Sequence, residues 1–147
     1  EVGRMKEEAD LLIVSLHWGP NWGFAPPSEH VRFAHALIER GADIVFGHSG
    51  HIFRGIELYR GKPIVYCAGD FIDDYMVDEV ERNDESFLFM VEDMKRIMLY
   101  PTLIQQFESR LASPDRAQDI LSTMKKLCAA FGTPLEIVGS VGVIDLQ

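Results

Sequence analysis

Three histidines stand where two apolar runs give out. Ile44-Val45-Phe46 is bounded by Asp43 and Gly47, and His48-Ser49-Gly50-His51 follows at once, while residues 11–16 run directly into His17-Trp18-Gly19. The small residues between His48 and His51 let the backbone turn sharply and aim both rings at one point. Imidazole nitrogens set in this way are donors for a divalent metal, with Mn, Zn or Fe the ions that suit them. Loop histidines are also common where no metal binds, and what separates these is their recurrence at the ends of two apolar runs. A fourth candidate is Asp70, in Gly69-Asp70-Phe71. It stands where a ligand, or the acceptor that orients a ligating ring, would stand, although turns use aspartate for their own hydrogen bonds as well. His17, His48 and His51 are the candidate metal ligands, and with Asp70 they form the candidate catalytic set.

The surrounding residues must build the scaffold that positions these groups. Residues 11–16 are apolar apart from Ser15, which predicts a strand covered on both faces and central in its sheet. Residues 44–46 predict a second buried strand. Between them, Ser28 is placed to cap a helix over about 29–40, stopped by Gly41, with Val31, Ala34, His35 and Ile38 on one face. His30 and His35 belong to the surface and packing of that helix. A strand, helix, strand unit sets strand ends side by side, and in open α/β sheets sites lie outside the carboxyl ends of strands. His17 is therefore expected near His48 and His51. The glycines and prolines of residues 18–27 exclude regular structure and predict a loop over the site, in which Trp18 and Trp22 either plug the core or meet a substrate.

Farther along, residues 52–59 and 63–68 flank a tight turn at Arg60-Gly61-Lys62, which predicts a hairpin. Asp73, Asp74, Asp78, Glu79, Glu81, Asp84, Glu85 and Glu92 form a run opposed only by Arg82, the pattern of a solvated loop and one also able to hold hard cations. Residues 86–91, 96–100 and, after Pro101, 102–107 predict an antiparallel meander. Asp115 opens a last helix with Ile120, Met124, Leu127 and Cys128 on one face, and residues 135–138 and 141–146 predict a closing hairpin. The fold class is α/β or α+β.

A chain of 147 residues is about one domain, and residues 1–147 are expected to form one. Lysine plus arginine number 14 against 23 acidic residues, a net charge of −9. Such a chain repels phosphate backbones, so nucleic acid is not an expected partner. Cys67 and Cys128 each sit in an apolar element and read as small buried hydrophobes rather than as halves of a disulfide framework. The sequence has neither a run of about 18 apolar residues nor a basic segment leading into an apolar one, so no spanning or signal segment is read in it. Residues 1–10 read as the tail of a helix without a cap, which points to an upstream half.

At His17-Trp18-Gly19, Gly47-His48-Ser49-Gly50-His51, residues 55–64 and Gly69-Asp70-Phe71, the chain resembles the CapA family. That family is also described as poly-gamma-glutamate biosynthesis proteins and is placed among the calcineurin-like metallophosphoesterases. The resemblance covers most of residues 10–75; Tyr100-Pro101-Thr102 and Phe131-Gly132-Thr133 extend it more weakly. It implies a metallophosphoesterase-like sandwich of two sheets with flanking helices, of which this chain would be the carboxyl-terminal portion. It also implies that His17, His48 and His51 are metal-site histidines, holding a divalent metal that is incomplete or absent in this chain alone. An anionic small molecule or polymer would be the substrate, and an amino-terminal half or second chain, or membrane partners of capsule synthesis, the protein partners. The implied setting is bacterial and exported or membrane-associated. Two departures stand out: Gly-Asn-Phe is usual where this chain has Gly69-Asp70-Phe71, and proline is frequent where it has Gly50. The alternatives are a non-catalytic accessory or binding module of polymer synthesis, and a stand-alone hydrolase with one metal on three imidazoles.

Overall fold

The computed structural model of the protein describes residues 1–146. In chain order the elements are α1 (Val2–Glu7), β1 (Ile13–His17), α2 (Ser28–Glu39), β2 (Ile44–His48), β3 (Ile56–Tyr59), β4 (Lys62–Val65), β5 (Glu85–Glu92), β6 (Arg96–Gln105), β7 (Glu108–Leu111), α3 (Pro114–Ala129), β8 (Glu136–Val138) and β9 (Val141–Asp145). They form an α+β fold with two sheets. The first has the order β1-β2-β4-β3; the second runs β5-β6-β9-β8, with β7 on β6. In the first sheet β1, β2 and β4 are parallel and β3 turns back on β4 as the expected hairpin. The second sheet is antiparallel throughout.

The central strand is β2, not β1. β2 pairs on both sides, and its Ile44 and Val45 are buried, whereas β1 is an edge strand with Ile13 52% exposed. Hydropathy reports what a strand is made of and not how many neighbours it finds, and the apolar character of residues 11–16 is here left partly in solvent. A smaller correction concerns α2. Ser28 is its first residue rather than its cap, Pro27 occupies the cap position, and no side chain caps it. At the other end Gly41, at φ +106°, and the bond from Ala42 N–H to Leu37 carbonyl close the helix as expected.

Two apolar clusters hold the layers. Ala34, Leu37 and Ile38 of α2 pack on Val45, Ile64 and Tyr66, covering the outer face of the first sheet. Between the sheets, Phe53, Ile56 and Val65 meet Phe87, Ile97 and Leu99, with Ile120, Leu121 and Met124 of α3 closing one side. Gly55 makes that closure feasible, since a Cβ there would lie 2.6 Å from the Leu127 carbonyl oxygen. Pro101 sits inside β6 rather than ending it. β9 pairs with β6 up to Leu99 and β7 from Thr102, so the missing N–H falls where the partner changes. The two cysteines are buried and unpaired, and no described helix is long and apolar enough to cross a membrane.

Candidate functional site

The parallel register of β1 and β2 sets His17 opposite His48, the last residue of each strand. Their rings stand 5.4 Å apart and nearly perpendicular. His17 is exposed and His48 half-buried, its Nε2 3.2 Å from Ser15 Oγ. The Trp18 N–H donates to the His48 carbonyl, so the strand pairing continues into the loop that follows.

The turn after β2 carries His51 away from that pair. Ser49 takes φ +98°, a left-handed conformation that costs a non-glycine residue roughly 1–3 kcal/mol and persists only where its surroundings enforce it. Gly50 packs so closely that a Cβ would lie 3.0 Å from Cys67 Sγ and 3.1 Å from the Pro20 carbonyl oxygen. The His51 N–H then donates to Asn21, and its ring faces the loop after β4. There Gly69, at φ +79°, turns the chain so that Asp70 Oδ2 accepts from His51 Nδ1 at 2.7 Å, with the side chains 17% and 19% exposed.

Asp73 completes the cluster. Its carboxyl is in hydrogen-bond contact with that of Asp70, Tyr75 N–H donates to its Oδ1, and its Oδ2 is buried without a partner. Burial first, and then this second carboxyl, raise Asp70 to about 6 against the opposing pull of His51. Among the described residues, His51, Asp70 and Asp73 are the one group of three such side chains whose ligand atoms all lie within 4.8 Å of one another. One imidazole and two carboxylates suit Mn, Fe or Zn, and the orphaned oxygen gives a cation a donor to take, so these residues fit a divalent ion. His17 and His48 form a separate pair.

The surrounding loop was expected to be irregular, and it is. Its two tryptophans divide the roles that the sequence left open. Trp18 is a plug, stacked on His30 at 4.4 Å with its Nε1–H donating to the Tyr66 carbonyl. Trp22 borders the site, with its ring 5.3 Å from that of His51, and Tyr75 stands 4.8 Å away on another side. The loop is held by Arg54, which is 1% exposed and donates from Nε to the Gly23 carbonyl and from Nη2 to those of Pro20 and Trp22. His35, set aside in the sequence, pairs with Glu57 at 2.9 Å and stacks on Tyr59, away from this cleft. Arg54 escaped the sequence reading, and Asp73 entered it only as one member of the acidic run able to hold hard cations. The spacing Asp70-x-x-Asp73 after a turn-forming glycine was a signal for the second carboxylate, masked by the acidic run around it.

The α+β scaffold thus sets two histidines at the paired ends of parallel strands and a histidine-carboxylate cluster in the adjoining loops. The chain belongs to the bacterial capsule synthesis protein PGA_cap family, whose model matches residues 1–75, a stretch that holds every residue of the cleft named above. It is similar to a probable polyglutamine synthesis accessory protein of Mycobacterium tuberculosis, 36% identical over 136 residues that make up 86% of this chain and 36% of that protein. It is also similar to the PGA biosynthesis protein CapA of Bacillus subtilis, 36% identical over 73 residues, 50% of this chain and 19% of that one. The capsule biosynthesis protein CapA of Bacillus anthracis is 35% identical over 69 residues, 47% of this chain and 17% of that protein. The matched stretch is thus about a third of the mycobacterial relative and under a fifth of the two Bacillus proteins.

Proposed function

We propose that this chain serves the synthesis of an anionic capsule polymer of the polyglutamate kind, and that its cleft is a divalent-cation site of metallophosphoesterase type. The observation that supports the reading is the pairing of His17 with His48 at strand ends, with a second pair, His51 and Asp70, in the loops that follow. His17, His48 and His51 would be the nitrogen donors. A bound divalent ion would there neutralise anionic charge and activate a water. Asp70 accepts the His51 Nδ1 proton and so fixes the ring with Nε2 free to bind. Arg54 holds the loop that keeps Trp22 against His51, limiting water on that side. The exposed edge at His17 leaves an approach for a long substrate.

Net charge supports a cation in this reading. A surface of −9 repels a polyglutamate chain, and a divalent ion in the cleft supplies the attraction that the surface lacks. A second reading, a non-catalytic accessory, is favoured by the name of the mycobacterial relative, a probable polyglutamine synthesis accessory protein. Deleting the gene should abolish or sharply lower cell-surface polymer, and complementation should restore it; unchanged polymer in the deletion strain would overturn the proposal. Turnover of bis(4-nitrophenyl) phosphate by Mn²⁺-loaded protein, lost in His48→Ala, separates the enzyme from the accessory.

A further inference from the structure

We propose that Asp73, together with Asp70 and His51, is a donor of the divalent cation held in this cleft, with Asp73 as the decisive oxygen donor. The inference rests on the reading above only in taking a cation to be the occupant of the cleft. Asp73 comes from an acidic run whose other members are accounted for. Asp78 accepts the N–H groups of Val80 and Glu81, Glu81 accepts that of Gly23, Asp84 pairs with Arg82, and Glu85 pairs with Arg116. Asp74 and Glu79 are exposed to solvent, and Glu92 pairs with Arg96. Asp73 alone among them places an oxygen in the interior with nothing to bond it.

Its neighbours deepen the imbalance. Two carboxyl groups in contact and half-buried repel each other unless a proton or a cation lies between them. The Arg54 guanidinium does not relieve them, because its Nε and Nη2 donate to loop carbonyls. Ligand atoms within 4.8 Å of one another enclose a space that an ion with bonds of about 2.0–2.2 Å can bridge after small side-chain adjustments. Three protein donors leave coordination positions for water or for an anionic group of a substrate. The mixed nitrogen and oxygen set favours Mn²⁺, Fe²⁺ or Zn²⁺ over Ca²⁺, which prefers oxygen alone.

The test is titration of the purified protein with Mn²⁺, following free Mn²⁺ by electron paramagnetic resonance. One equivalent should bind, and Asp73→Asn, a near-isosteric change, should weaken it by about tenfold or more, as should His51→Ala. Asp73→Glu should restore part of the affinity, which loss of folding would not allow, and circular dichroism of each variant checks the fold. Asp74→Asn should bind as the parent does. No Mn²⁺ binding by the parent, parental binding by Asp73→Asn, or an equal loss in Asp74→Asn would overturn the proposal. None of these results alters cell-surface polymer, so the reading above stands or falls separately.

Discussion

At the scale of single residues, Arg54 is the side chain on which the cleft most depends without belonging to it. Its guanidinium is buried and answered by carbonyl oxygens of Pro20, Trp22 and Gly23. Arg54→Met keeps much of the apolar stem and leaves those carbonyls unpaired, which should cost about 2–4 kcal/mol in urea denaturation and change the Trp22 fluorescence. A loss below about 0.5 kcal/mol would contradict this role. Nothing in Phe53-Arg54-Gly55 announces it, because arginine in a loop is ordinarily exposed. The placement of His17 and His48 was legible for the opposite reason: each closes an apolar run, and the runs became paired strands. The contact of Asp70 with His51 was legible through the glycine before it. Asp73 was hidden, since a sequence of acids does not say which one turns inward.

At the scale of elements, Asp43 ties α1 and β4 to the residue that leads into β1. Its carboxylate accepts from Lys6 at 2.8 Å, Lys62 at 2.7 Å and the Leu12 N–H at 2.9 Å. Burial pushes this carboxyl up, but the two lysines and the amide together outweigh that and hold it at about 2. A folded-state pKa below the unfolded value stabilises the protein above pH 4 and loses that contribution as pH falls toward 2. Asp43→Asn should therefore cost about 2 kcal/mol at neutral pH, and its deficit against the parent should close between pH 4 and pH 2 in urea titrations. A deficit independent of pH would contradict the ionic origin. Packing gives a second expectation: Ile120 is fully buried in α3, and Ile120→Ala should cost about 2–5 kcal/mol by the same measurement. A loss under about 1 kcal/mol would show that α3 does not close the core. Helix faces, hairpins and the parallel β1-β2 pair were readable from periodicity and turn residues. The edge position of β1 was not, because it depends on which strands come to lie beside it.

For the whole molecule, charge and family membership bear on the same question. At −9 the protein should associate with poly-γ-glutamate weakly, if at all, in the presence of EDTA, and more strongly once Mn²⁺ is added. Sedimentation with the polymer checks this, and association unaffected by Mn²⁺ would argue against a cation-bridged contact. The most direct measurement is made in the bacterium, with the chromosomal copy changed to His51→Ala and the cell-surface polymer quantified against the parent and the deletion strain at matched protein abundance. Polymer should fall to the level of the deletion strain; parental polymer from the His51→Ala strain would show that the cleft plays no part in the synthesis.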